Sequence, residues 1–212
     1  MFESRNNEVR ELYKDVDCYS DAMESEIHTE IYTLGLESLF SSLQNVNGAV
    51  IDASCGSGHF LKKFSEQYNQ EVTLIGVDLS PLMIQKSKNL LQDSATLYVG
   101  DMTNLSMIEE KSCAALVSYF SIQHLTHESL LSTFVEWKRV LVEQGTVILA
   151  GWEGCGTIDY GEKERHLAYR YSVDTLKNAL AMAGFRVDTS GVIPVRSPGE
   201  PMDAFYLQAT NC

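Results

Sequence analysis

Basic residues are scarce in this 212-residue chain: 16 lysines and arginines stand against 29 aspartates and glutamates, a formal net charge of −13. No basic run exceeds Lys62-Lys63. A nucleic-acid-binding face needs clustered positive charge to neutralise phosphates, so no such partner is expected. The same imbalance favours solubility and exerts a mild pull on cationic ligands. No apolar run reaches the roughly 18 residues of a membrane span. The opening MFESRNNEVRELYKD is charged and lacks the apolar core of a secretory signal. Cysteines are few, and Cys18, Cys55, Cys113, Cys155 and Cys212 are scattered, odd in number and never spaced C-x-x-C. That argues against a disulfide framework or a metal site and for reducing surroundings. Repeats and low-complexity tracts are lacking too. The expectation is a soluble, cytoplasmic protein, monomer or homodimer, with no membrane partner.

What is present is an ordinary globular composition, 44% apolar and 21% charged, in a chain long enough for one large core. Residues 4–44 carry helical spacing in Val9, Leu12, Val16, Ile27, Ile31, Leu34, Leu39 and Leu43. Strand-like runs follow at AVIDA, VTLIGVD, TLYVGD, CAALVSYFS and GTVILAGW. Helical runs alternate with them. Ser80 and Pro81 open one as N-cap and first residue, Thr126 caps another, and a third runs from Ser172 to a stop at Gly184. FRVDTSGV and DAFYLQAT close the chain as two strands whose link is too short for a parallel crossover. Residues 153–171 read as a polar loop with three glycines. This order predicts an α/β fold: a Rossmann-like, seven-stranded, mostly parallel sheet with helices on both faces and an antiparallel last strand.

On such sheets ligands sit beyond the carboxyl ends of the strands. There the first strand ends in Asp52, followed by a turn of small residues through Gly58. Small residues let a ligand touch backbone, and the next helix presents free N–H groups. Asp78 ends the second strand 20 positions after Gly58, where a carboxylate accepts from both hydroxyls of a ribose. The pair of turns reads as a nucleoside site. A dinucleotide is disfavoured, because Leu61 stands where the third glycine of G-x-G-x-x-G belongs and Asp52 would repel a diphosphate. Asp52 suits a ligand bearing an ammonium group instead. No Walker phosphate loop is present.

VIDASCGSG, LIGVDLSPLMI, LYVGDM and LVSYFSIQHL…WKRVLVEQGTVIL together resemble the successive motifs of class I S-adenosylmethionine-dependent methyltransferases of the small-molecule type. The resemblance covers about residues 9 to 210. It implies S-adenosyl-L-methionine as cofactor and one domain over residues 1–212, with a helical cap at 1–45, a cofactor-binding half at 46–152 and a substrate-side loop and hairpin at 153–212. It also implies that Asp52, Gly56 and Gly58 flank the methionyl part of the cofactor, with Ser54 and Cys55 of the same turn among the cofactor-binding residues. Asp78 would hold the ribose hydroxyls, Leu79 and Met83 the adenosine, and Asp101 the adenine amino group with Met102 beside the ring. Tyr119 would sit near the methionyl end. Tyr19, or failing it Tyr13, would close over the cofactor carboxylate. Two departures stand out: Ser54 replaces the usual first glycine, disfavouring positive φ, and Ala115 replaces the usual aspartate of the fourth strand.

An activated sulfonium leaves most of the catalysis to alignment, and a base is needed only when the acceptor is protonated. His124, just after the fourth strand, is the base candidate; its alternative is local packing. His59 caps a helix or faces solvent. Trp152, Glu153 and Tyr160, and His166 in KERHLAYRYS, are candidates for the acceptor wall, or members of an ordinary loop and a solvated link. The expected activity is methyl transfer to a small-molecule acceptor. The alternatives are a non-catalytic S-adenosylmethionine-binding partner or sensor and, more remotely, a nicotinamide-dependent oxidoreductase.

Overall fold

The computed structural model describes residues 2–44, 46–68, 71–158, 168–195 and 202–212. Three helices come first: α1 (Phe2–Leu12), α2 (Val16–Glu26) and α3 (Glu30–Ser42). The alternating part follows as β1 (Ala49–Asp52), α4 (His59–Tyr68), β2 (Leu74–Asp78), α5 (Pro81–Leu91), β3 (Thr96–Val99), β4 (Cys113–Tyr119), α6 (His127–Val140) and β5 (Leu141–Trp152). A small antiparallel pair, β6 (Thr157–Ile158) and β7 (Ala168–Tyr169), precedes α7 (Val173–Met182), β8 (Phe185–Val195) and β9 (Met202–Asn211).

The large sheet has seven strands in the order β3-β2-β1-β4-β5-β9-β8. β1 to β5 pair in parallel, while β9 runs antiparallel to both β5 and β8. The expected architecture is therefore the observed one, down to the reversed last strand. β9 folds back along β8 after a short link and inserts next to β5, leaving β8 as the edge. The region 153–171, expected as a polar loop with three glycines, contains the β6–β7 pair, whose two-residue strands are too short to show any periodicity.

The parallel strands are apolar on both faces because helices cover both. Val50, Ala115, Val117, Ile148 and Ala150 point to one face, where α3, α4 and α5 pack with Leu36, Leu39, Phe60, Phe64 and Ile84. Ile51, Leu116, Val147 and Leu149 point to the other, against Phe134 and Trp137 of α6 and Leu176 and Leu180 of α7. Ala115, the position of the missing aspartate, lies fully buried in this sandwich. The caps sit where the sequence puts them. Ser80 accepts from Met83 N, Ser172 accepts from Thr175 N, and Thr126 forms a reciprocal capping box with Ser129.

One contact ties the N-terminal helices to the end of β4. The Tyr119 hydroxyl donates to the Ile31 carbonyl at 3.3 Å, passing over Gly35 of α3. A methyl group at Gly35 would lie 1.7 Å from that hydroxyl oxygen. The ring cannot swing away, being held between Tyr32 at 5.0 Å and Phe60 at 5.1 Å. Alanine gains about 0.8–1.0 kcal/mol of helix propensity, but overpacking costs about 1–3 kcal/mol. Gly35→Ala is therefore expected to lower the urea midpoint; an unchanged or raised midpoint would show that Tyr119 is not confined.

Candidate functional site

A cavity of about 510 Å³ opens above the carboxyl ends of β1 to β5. Its floor is made by the turns that follow those strands, and α1 with the α2–α3 corner forms its roof. Of the residues singled out from the sequence, Tyr19, Ser54, Gly56, Asp78, Leu79, Met83, Asp101, Met102, Tyr119, His124 and Trp152 all line it. Tyr160 and His166 lie outside the described residues.

The turn after β1 is built on two carboxylates. Asp52 is buried, and its Oδ1 accepts from Ser54 N at 3.1 Å, which closes the turn from beneath. Asp78 Oδ2 accepts from Gly56 N and Oδ1 from Ser80 N, both at 2.8 Å. Ser54 does not adopt positive φ; Gly56 (φ 51) and Gly58 (φ 91) do so instead. The serine thus fills the first position of the turn without strain, and its hydroxyl meets Ser118 Oγ of β4 at 3.3 Å.

Three expected cofactor contacts lie off the cavity wall. Asp52 is beneath the turn rather than on its surface. The Cys55 sulfur faces β2, where a Cβ on Gly76 would come within 2.9 Å of it. Gly58 faces α5, and a Cβ there would stand 2.5 Å from Ser87 Oγ. Gly58 therefore serves the close packing of α5, a packing role like the one whose glycine is missing at Leu61. Glu153 also turns away, its Oε2 accepting from Val173 N at the start of α7.

Toward β3, Asp101 Oδ1 accepts from Thr103 N at 2.9 Å and from its hydroxyl at 2.8 Å. Trp137 Nε1 anchors the same loop through the Met102 carbonyl at 2.8 Å. Helix α1 straps the cavity along its length. Asn6 Nδ2 donates to Asp101 Oδ2 at 2.8 Å, Arg10 Nε to the Leu79 carbonyl at 3.0 Å and Arg5 Nε to the His124 carbonyl at 2.6 Å. The Tyr13 hydroxyl meets His124 Nε2 at 3.0 Å. Tyr19 lies across Gly56, where an added Cβ would come within 3.1 Å of its ring.

Above β4 and β5 the wall becomes aromatic. Tyr32 stacks on Tyr119, and Phe120 tilts against Trp152 at 4.7 Å. Phe120 has φ 48, a left-handed conformation rare for a bulky residue and of the kind that collects at functional turns. Asn6, Arg5, Arg10, Tyr32, Phe120 and the α2–α3 glutamates Glu26 and Glu30 went unnoticed in the sequence. On α1 the clue was only a helical pattern, and nothing marks Phe120 for a left-handed turn. Among the described residues, no three His, Cys, Asp or Glu side chains are placed to hold a metal ion, and no helix is long and apolar enough to cross a membrane.

Burial and two carboxylates in one turn shape the electrostatics. Burial pushes the Asp52 carboxyl up to about 7; the Ser54 N–H pulls it back and the neighbouring Asp78 charge raises it further. Asp78 is also raised by burial, offset by the N–H groups of Ser80 and Gly56. Both groups thus favour a cation nearby.

A cleft over parallel strand ends, with carboxylates closing the first and second strands and a third just past β3, is the arrangement expected of a nucleoside-binding α/β protein. Residues 50–145 match the family described as a methyltransferase domain. The fold is shared with a chain of the complex between the Haloferax volcanii Trm112 methyltransferase activator and a methyltransferase, at a TM-score of 0.75 and 18% identity over 95% of this chain and 96% of that one. An S-adenosylmethionine-dependent methyltransferase from Methanosarcina mazei aligns at 0.68 and 15% identity, over 82% of this chain and 96% of that one. Geranyl diphosphate methyltransferase, bound to geranyl diphosphate and sinefungin, aligns at 0.64 and 16%, over 85% and 79%. No curated protein matches the sequence. Residues 50–145 are thus a methyltransferase domain, the cofactor is S-adenosylmethionine, and the strand order is the fold of S-adenosylmethionine-dependent methyltransferases.

The pH dependence of stability follows from Asp52. The folded protein keeps its proton up to about pH 7, whereas the ordinary value is 3.8. Between those limits the native state binds more protons, so its stability falls as pH rises. The loss over three units is on the order of 4 kcal/mol at full weight. Asp52→Asn is expected to flatten this slope in urea titrations between pH 4.5 and 7.5; equal slopes in both proteins would refute the assignment.

Proposed function

We propose that the chain is a cytoplasmic enzyme that transfers a methyl group to a small-molecule acceptor, with the adenosyl end of the cofactor over β1 to β3 and the acceptor over β4 and β5. The observation that carries this reading is the division of one roofed cavity into a carboxylate-lined part and an aromatic part. A roof strapped at four points favours a compact acceptor over a polymer. The fold neighbour that carries geranyl diphosphate, itself a small molecule, supports the same reading.

Asp78 has each oxygen already accepting one main-chain N–H, and a carboxylate has about four lone-pair sites, so both ribose hydroxyls can still donate to it. Leu79 and Met83 give the adenosine apolar contact, and Asp101 with Met102 receives the adenine amino group and ring. Gly56 lets Tyr19 close over the methionyl end, and Asp52 beneath the turn gives up its proton when the cation arrives and then supplies negative potential to the ammonium and sulfonium. Tyr119 bounds that end. When bound, the cofactor supplies an electrophilic methyl on sulfur. The protein's task is to align a nucleophile with that methyl and exclude water. Trp152 with Phe120 orients the acceptor, and His124, held through Tyr13, takes a proton from it.

The neighbour complexed with an activator gives a second reading, in which the chain works only with a partner protein and on a larger acceptor. The two readings separate when purified protein is incubated with methyl-labelled S-adenosylmethionine and a cell extract split by size. Label in the low-molecular-weight pool is expected; label confined to macromolecules would sink the small-molecule proposal.

The cofactor assignment has its own test. Asp78→Ala is expected to weaken S-adenosylhomocysteine binding by about 1–3 kcal/mol, roughly 5- to 150-fold, through loss of charged hydrogen bonds. Cys55→Ala, whose sulfur faces β2, should leave the dissociation constant unchanged. Equal affinity in both variants would remove Asp78 from the ribose site.

A further inference from the structure

Above β4 and β5 the cavity carries charge that methyl donation does not require. Glu26 ends α2 and Glu30 begins α3, and both line the cavity at this corner. Neither forms an ion pair among the described residues. The corner lies over the aromatic half, because the Ile31 carbonyl, next to Glu30, accepts from the Tyr119 hydroxyl at 3.3 Å. Glu26 is felt by the ring beneath it: burial first, and then the Glu26 charge, push the Tyr32 hydroxyl up.

The rings form a continuous wall. Tyr32 stacks on Tyr119 at 5.0 Å, Tyr119 meets Phe120 edge-on at 6.5 Å, and Phe120 meets Trp152 at 4.7 Å. Aromatic faces next to carboxylates attract an organic cation, by the ring quadrupole and by charge together. An acceptor carrying carboxylate or phosphate would find the opposite. The described cationic side chains of the lining are Arg5 and Arg10, both on α1, and they donate to the His124 and Leu79 carbonyls. In this respect the site differs in kind from one suited to a diphosphate.

We infer that the acceptor is an organic amine, its ammonium drawn in by Glu26 and Glu30 and its apolar body laid against Tyr32, Phe120 and Trp152. This rests on the small-molecule reading above and narrows it to N-methylation. An ammonium has no lone pair to give, so it must first lose a proton, and His124 is the base in the same cavity. The freed nitrogen pair then forms the bond to the methyl carbon. The carbon–sulfur pair returns to sulfur, leaving S-adenosylhomocysteine and an N-methylammonium product, and the proton passes from His124 to water.

The test uses binding rather than turnover. Protein saturated with S-adenosylhomocysteine is titrated calorimetrically with 2-phenylethylamine, 2-phenylethanol and phenylacetate. The amine should bind at least tenfold more tightly than the alcohol, with the acid weakest. Glu26→Gln/Glu30→Gln should erase the preference while leaving S-adenosylhomocysteine affinity within twofold. Absent amine binding, a preference for the acid or alcohol, or an amine preference that survives the double variant overturns the assignment. A double variant that loses S-adenosylhomocysteine would give the glutamates to the cofactor and overturn it equally. Wild-type protein that fails to bind S-adenosylhomocysteine at all would instead bring down the cofactor placement on which the inference rests.

Discussion

The site depends on one carboxylate shared between two turns. Asp78 ends β2, yet one of its oxygens accepts from Gly56 N in the turn after β1 and the other from Ser80 N at the start of α5. Parallel neighbours such as β1 and β2 are joined only through a helix, so nothing local sets the distance between their terminal turns. The hydrogen bonds that Asp78 accepts, with Cys55 N donating to the Val77 carbonyl at 2.9 Å, do so. They account for three features at once: Gly56 takes positive φ so that its N–H aims at β2, Ser80 both donates to Asp78 and caps α5, and the floor of the cavity is rigid where an adenosine would lie. An arrangement this closely bonded also costs energy, because a buried acid, Asp52, stands beside a half-buried one, Asp78, and desolvation pushes both up. That cost is recovered when a cation arrives, which makes a cationic ligand a better partner for this turn than a diphosphate.

The roof uses the opposite logic. Arg5, Asn6 and Arg10 all lie on α1 and reach main-chain carbonyls or Asp101, so the helix is held by hydrogen bonds rather than by an apolar seam. Such bonds are each worth only about 0.5–1.5 kcal/mol net, or somewhat more when charged. A floor fixed by packing and a roof fixed by a few polar contacts is the combination that lets ligands enter without loosening the core. Gly35 marks the boundary between the two regimes: beside it α3 packs tightly enough on Tyr119 to leave no room for a methyl group.

Much of this was legible in the sequence, for a physical reason. Strand–helix alternation, the caps at Ser80, Thr126 and Ser172, and small residues after an apolar strand are local patterns, and the sheet order follows from them with few alternatives. The same applies to the strand-end carboxylates, whose position along β1 and β2 decides that they meet. What stayed hidden depends on which way a side chain turns. Cys55 and Gly58 sit in the right turn but face β2 and α5, and Glu153 follows the right strand but caps α7. The contribution of α1 was hidden for another reason. Its residues lie over 60 positions from their partners, and a helical pattern says which face is apolar, not which residue bonds to what.

The acceptor side shows why a shared fold leaves chemistry open. The carboxylates of the adenosyl side hang on strand ends that the sheet itself requires. The aromatic wall is assembled instead from β4, β5 and the α2–α3 corner, where Tyr32 and Tyr119 also join the N-terminal helices to the sheet. Phe120 is the exception that identifies the wall as more than filler. A phenylalanine gains nothing from a left-handed backbone, which costs about 1–3 kcal/mol where a glycine would pass freely. Its ring is directed against Trp152 at that expense, so the strain is spent on the shape of the pocket and not on the stability of the sheet.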